Sequence, residues 1–201
     1  SMDTYSLSVA YDGAPFCGFA KQPDCLTVQG EIEGALQLLF RREVSTVCAG
    51  RTDSGVHALG QVVSFELEDD ELRSRNLETL CKSMNALTAE GISVRSFDRR
   101  PEGFSARFDA KYREYRYFFF TDRYPSVFME PYSWSTGPLD KAAMEEASRH
   151  LIGEHDFKSF CMAISAKDRT TNRCVMEISF HEETIFQENV LIMRIIGNAF
   201  L

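Results

Sequence analysis

The order of elements predicts an α+β fold built from two βαββαβ halves. Three observations carry this reading. Residues 5–11 alternate strictly between apolar and small polar side chains, two stretches at 27–42 and 76–87 carry an apolar period of three and four, and the same pattern begins again with a strand at 112–121.

Each element has its own signal. In the first strand Tyr5, Leu7, Val9 and Tyr11 share one face, and Ser6, Ser8 and Ala10 the other. Asp12-Gly13-Ala14-Pro15 then reads as a turn, followed by Phe16-Cys17-Gly18-Phe19. Residues 27–42 form a helix that Thr27 caps, with Val28, Ile32, Ala35, Leu36, Leu39 and Phe40 on one face. Residues 44–48 and 61–67 are strands, residues 76–87 a helix with Leu77, Leu80, Cys81, Met84 and Leu87 at helical spacing, and residues 92–97 a strand. Residues 3–98 thus make one ferredoxin-like half.

Residues 99–110, RRPEGFSARFDA, have no apolar period and read as a connecting loop. The second half, residues 99–201, continues with the aromatic-rich strand 112–121, an irregular stretch at 124–137 holding Pro125 and Pro131, a helix at 139–151, and strands at 157–161, 174–180 and 190–196. It stops at Gly197-Asn198-Ala199-Phe200-Leu201, one helix and one strand short of a full repeat, so this half reads as incomplete at its C-terminus. Ser1-Met2 reads as an addition ahead of the native start.

Composition narrows the function classes. With 44% hydrophobic and 26% charged residues the chain is an ordinary soluble globular protein. No apolar run approaches the length of a membrane span, and no basic, apolar leader opens the chain, which points to a cytoplasmic, reducing setting. The cysteines, Cys17, Cys25, Cys48, Cys81, Cys161 and Cys174, show no Cys-x-x-Cys pair and no metal spacing with a histidine, and read as buried free thiols rather than disulfides. A net charge of −8 counts against a nucleic-acid partner. Its distribution reverses that locally: residues 99–116 hold Arg99, Arg100, Arg107, Lys111, Arg113 and Arg116 against Glu102, Asp109 and Glu114. The acidic run 66–71 reads as a solvated loop.

The densest polar stretch lies between two strands: Ala49-Gly50-Arg51-Thr52-Asp53-Ser54-Gly55-Val56-His57-Ala58. Two glycines bracket Asp53 and permit a positive φ or a close backbone approach, as a loop built to present one carboxylate requires. A plain strand–turn–strand corner explains the turn but not the Arg, Thr and His around it.

This run, AGRTDSGVHALGQVVSF, resembles the signature of TruA-type tRNA pseudouridine synthases, whose catalytic aspartate lies in GRTDxGVHA. Further runs resemble the same family: YDGAPFCGF, with Phe19 where the family usually has Trp and Ala20 where it has Gln; TVQGEIEGAL; FSARFDAKYREYRY; GEHDFKSF; and GNAFL. The resemblance implies two ferredoxin-like halves joined in one mixed, mostly antiparallel sheet with helices on one face and the active site in the cleft between halves. It implies isomerisation of uridine to pseudouridine in tRNA, at positions 38 to 40 of the anticodon stem-loop, by a homodimer. It assigns catalysis to Asp53, pairing with Asp53 and nucleotide flipping to Arg51, and contact with the target base to Tyr115 and Leu201. The loop Phe104, Ser105, Ala106, Arg107 and Phe108 is then the candidate RNA-contacting segment, with Lys167 and Arg169 as weaker candidates. His57 reads as a structural loop residue.

The chemistry suits a carboxylate. The N1–C1′ bond breaks, the uracil turns, and C5 bonds to C1′, with no redox change. An aspartate attacks C1′ as a nucleophile or takes a ribose proton as a base. No cofactor is needed, and the sequence carries no dinucleotide or P-loop glycine pattern and no metal constellation. Two other classes compete. Asp53-Ser54-Gly55 matches the aspartic-protease triplet, but that chemistry needs a second carboxylate and the chain has no second such triplet. A non-catalytic RNA-binding module would stack bases on Tyr112, Tyr115, Tyr117 and Phe119 and would not need Asp53.

Overall fold

The alternation of the first strand decides the architecture of the first half. In the computed structural model, which describes residues 1–110, 112–120, 122, 124, 126–129, 132–135, 141–142 and 175–198, strand β1 (Met2–Tyr11) buries Tyr5, Leu7, Val9 and Tyr11 against the helices and turns Ser8 and Ala10 to the other side. The chain divides into two units, Ser1–Ala110 and Lys111–Leu201. No described helix is long and apolar enough to cross a membrane.

In the first unit, helix α1 (Val28–Phe40) starts where the Thr27 hydroxyl accepts the Gly30 N–H at 3.1 Å, and it ends at Arg41, a left-handed residue with φ 57°. Strand β2 is only Val47–Cys48, and β3 runs over Ala58–Glu68. Helix α2 (Leu77–Leu87) is capped by Asn76, whose side chain accepts the Thr79 N–H at 2.7 Å; β4 (Ile92–Arg100) closes the sheet. The sheet order is β2-β3-β1-β4 and every pair is antiparallel. Val28, Ile32 and Leu36 of α1 and Leu80 and Met84 of α2 share one core with Tyr5, Leu7, Val63, Phe65 and Phe97, so both helices cover the same sheet face. Tyr5, Phe65 and Phe97 pack ring to ring at its centre, with centroids 5.5–6.4 Å apart.

The acidic stretch is more ordered than a solvated loop. Its last residues form a 3-10 turn (Asp69–Leu72) in which Glu71 returns to the Glu68 N–H at 2.9 Å. Arg42 grips the same carboxylate with two hydrogen bonds of 2.8 Å. That guanidinium holds the Glu71 carboxyl below the usual carboxylate range. The native state therefore binds fewer protons here than the unfolded chain. The stabilisation is complete above the ordinary carboxylate range and is lost as pH falls through the depressed native value. Glu71→Gln is expected to cost about 0.5–1 kcal/mol at neutral pH, and urea melts of variant and parent should converge in acid.

The segment after residue 98 is not a plain connector. Arg99 and Arg100 continue β4, and a single helical turn, α3 (Ala106–Asp109), follows. The sheet face away from the helices is small and polar, with Ser6 directly opposite Ser64. The segment docks there: Arg100 Nε donates to the Ser6 hydroxyl at 2.7 Å, and the Ala106 N–H donates to the Ser64 hydroxyl at 2.9 Å. Large side chains in the Ser6–Ser64 pair would block both bonds.

The second unit forms a separate sheet from β5 (Tyr112–Phe120), β6 (Trp134–Ser135), β7 (Val175–Ile185) and β8 (Glu188–Asn198), in the order β6-β5-β8-β7. Only β5 and β6 run parallel, so this sheet is mixed. Phe186 and Gln187 turn the β7–β8 hairpin with φ 51° and 64°. Strands expected at 174–180 and 190–196 are present and longer; β6 is an addition. The expected strand 157–161 and nearly all of the helix 139–151 lie outside the described residues. Among the described residues the strands of each unit form a four-stranded sheet.

One cysteine expectation is overturned. Cys17 and Cys25 form a disulfide, with Cα atoms 6.2 Å apart. The turn between them, with Asp24 at φ 57° and the Cys17 N–H bonded to the Leu26 carbonyl at 2.8 Å, brings together two residues whose spacing in sequence carries no signal. Cys81 is a free, partly buried thiol as expected, and Cys48 is partly buried.

Candidate active site

Two loops meet at the same end of the first sheet. Residues 12–27 link β1 to α1, and residues 49–57 link β2 to β3. The second loop is tight. Its Val56 N–H bonds back to the Asp53 carbonyl at 3.2 Å, and Gly55 takes φ 82°, a conformation that a side chain disfavours. Its entry is fixed by Gln61, buried in β3, whose amide nitrogen donates to the Gly50 carbonyl.

The first loop holds the second from below. The hydroxyls of Tyr11 and Thr52 lie 2.6 Å apart, and the Phe19 N–H donates to the Thr52 carbonyl at 3.1 Å. The Ser54 hydroxyl donates to the Phe16 carbonyl at 3.2 Å. The Gly13 N–H donates to His57 Nδ1 at 3.0 Å. Gly18, at φ 94°, lies so close beneath the loop that a Cβ there would stand 3.0 Å from the Thr52 oxygen and 3.3 Å from the Ser54 nitrogen. At Gly13 a Cβ would fall 2.1 Å from the Val56 oxygen. Each residue beside Asp53 is thus anchored through backbone or side chain.

Asp53 itself is exposed, and among the described residues no hydrogen bond or ion pair engages its carboxylate. Asp12 of the first loop accepts the Ala14 N–H at 3.0 Å and lies 3.2 Å from His57 Nδ1, while Asp24 is exposed in the turn between Cys17 and Cys25. The second loop therefore presents the Asp53 carboxylate to solvent between two residues that the first loop holds.

Comparison with known proteins settles what kind of chain carries this mount. A family model described as tRNA pseudouridine synthase matches residues 7–109 and 147–201. The chain belongs to the tRNA pseudouridine synthase family. Curated relatives named tRNA pseudouridine synthase A include those of Bacillus velezensis (41% identical, spanning 96% of this chain and 76% of the relative), Thermotoga neapolitana (37%, with the same shares) and Bacillus subtilis (40%, again with the same shares). As a pseudouridine synthase family member the chain is an isomerase.

The remaining family-implied residues fall as follows. Arg51 is exposed and makes no ion pair with Asp53 among the described contacts, so the expected pairing is not formed in this structure. Phe104 is half-buried beneath the Arg100 guanidinium, 5.0 Å from its ring centre, while Ser105 precedes the α3 turn and Ala106 is buried. Arg107 and Phe108 are exposed and adjacent, the guanidinium 5.4 Å from the ring centre. The α3 turn packs beside β2 and β3, the strands that flank the Asp53 loop. Tyr115 sits in β5 opposite Ile195 of β8. Lys167, Arg169 and Leu201 lie outside the described residues. Tyr11, Gly13 and Gly18 belong to a run with no catalytic group of its own, and only their contacts with distant Thr52, His57 and Val56 reveal a mounting role.

Proposed function

We propose that the protein isomerises uridine to pseudouridine in tRNA, at positions 38 to 40 of the anticodon stem-loop, with Asp53 as the catalytic carboxylate. One observation carries this reading: the exposed and, among the described residues, unengaged Asp53 stands between Thr52 and Ser54, both of which the first loop holds in place. The ionised carboxylate attacks C1′ or takes a ribose proton. The N1–C1′ bond breaks, the detached uracil turns, C5 bonds to C1′, and the C5 proton leaves as N1 gains one. Atoms balance without a cofactor.

The other roles follow from the same reading. Arg51 enters the space left by the flipped nucleotide, an event that costs a few kcal/mol. Tyr115 stacks on the uracil, with Leu201 beside it. The exposed Arg107–Phe108 pair and its neighbours Phe104, Ser105 and Ala106 contact the RNA, with Lys167 and Arg169 adding charge. The fold comprises two ferredoxin-like halves, for which the β2-β3-β1-β4 order of the first sheet gives support. The net charge of −8 makes a homodimer attractive, in which basic segments of two cytoplasmic copies share one tRNA.

Chemical mapping of pseudouridine in a tRNA transcript tests the reading. Modification is expected at uridines 38 to 40 and absent when these are replaced by cytidine. Modification confined to other positions would contradict the assignment.

A further inference from the structure

We propose that Cys17 and Cys25 form a reversible thiol–disulfide site whose state sets how firmly the Asp53 loop is held. The bridge closes a short excursion of the first loop, with a sequence separation of 8. The residues immediately inside it are the ones that support the second loop. Gly18 lies under Thr52 and Ser54, and Phe19 donates to the Thr52 carbonyl. The same two residues also anchor the start of α1, where the Val28 N–H reaches the Gly18 carbonyl at 3.4 Å and the Gln29 N–H reaches the Phe19 carbonyl at 2.9 Å. The covalent bond thus ties together the two ends of the platform on which Asp53 stands.

Accessibility makes the bond exchangeable. Cys17 is exposed and Cys25 half-buried, in reach of small thiols and peroxides. Exposed disulfides are the labile ones, and in a reducing compartment they are commonly redox-sensing. The chemistry balances simply. Two thiols lose two protons and two electrons to form one S–S bond; the electrons reduce peroxide to water, or oxidised glutathione to two thiols. A dithiol reverses the step. The oxidised form is the one with the platform closed, so reduction loosens the loop and slows turnover.

The test begins with thiol alkylation and mass measurement after treatment with oxidised glutathione and then with a dithiol. Cys17 and Cys25 are expected to be protected in the first state and labelled in the second. Hydrogen exchange across residues 49–58 should speed up at least about threefold on reduction, with a fall in melting temperature of roughly 5 °C. Cys17→Ser and Cys25→Ser should each match the reduced parent and ignore the dithiol. Labelling of both cysteines after oxidation would overturn the site. A bridge whose reduction leaves exchange at 49–58 unchanged would overturn the coupling, as would a Cys17→Ser protein that still responds to the dithiol through other cysteines. Turnover is expected to fall several-fold on reduction. That last measurement alone rests on the catalytic role of Asp53, so a protein inactive in both states would contradict that role while the exchange data still decide the loop.

Discussion

Replacing Asp53 with alanine should lower the isomerisation rate by at least about 10⁴-fold, the loss usual when a covalent or general-base group is removed, and leave the fold as stable as the parent. The second half of the expectation distinguishes this site from a structural one. The Asp53 side chain is exposed and unengaged among the described residues. Its removal breaks no hydrogen bond, and surface substitutions of that kind stay within about 0.5 kcal/mol. The turn survives because its own bonds are backbone ones: Val56 N–H to Asp53 carbonyl, and Phe19 N–H to Thr52 carbonyl. Single-turnover rates and urea melts on the same preparation check both halves. A variant with a tenth of the parental rate would move catalysis to another group.

Gly13→Ala carries the second-largest expected effect, although residue 13 bears no functional group. An added methyl would meet the Val56 oxygen at 2.1 Å, the Val56 carbon at 2.5 Å and the Gly55 carbon at 2.8 Å. All three are backbone atoms, so no side chain can swing aside. One loop must move off the other, and the Gly13 N–H bond to His57 is lost with it. Displacing a reacting group by about 1 Å costs on the order of 10²-fold in rate, and overpacking of this kind costs about 1–3 kcal/mol of stability. Gly34→Ala provides the contrast. That glycine sits mid-helix in α1 with nothing within 4 Å of the added carbon. The change should leave turnover alone and raise stability by about 0.5–1 kcal/mol. Equal losses in the two variants would show that the loop contact is not what matters at Gly13.

The parts of the fold legible in the sequence are those specified by local periodicity. Tyr5, Leu7, Val9 and Tyr11 announce β1 because a one-residue slip would send all four to the polar face. Thr27 announces α1 because a capping oxygen must precede the first turn, and α2 is announced by the apolar spacing of Leu77, Leu80, Cys81, Met84 and Leu87. The loop around Asp53 stood out because its residues form a motif. What stayed hidden depends on contacts between distant segments. The strand expected at 44–48 was legible, but not that it shrinks to Val47–Cys48, which pairs with Ser64 and Val63. The docking of 99–110 depends on two serines on a face that reads as solvent-exposed. Cys17 and Cys25 meet because the chain reverses at a left-handed Asp24, a conformation that nothing in its neighbours requires.

The most direct test of the central claim is tritium release from tRNA carrying 5-tritiated uridine, with the protein and its Asp53→Asn variant side by side and tRNA binding measured for both. C5 loses its hydrogen only when it becomes the carbon bonded to the ribose. Release is expected from the parent and none from the variant, which still binds tRNA because the carboxamide keeps the size and setting of the side chain. Release by both proteins would remove Asp53 from the chemistry, and binding without release by either would make the chain an RNA-binding module.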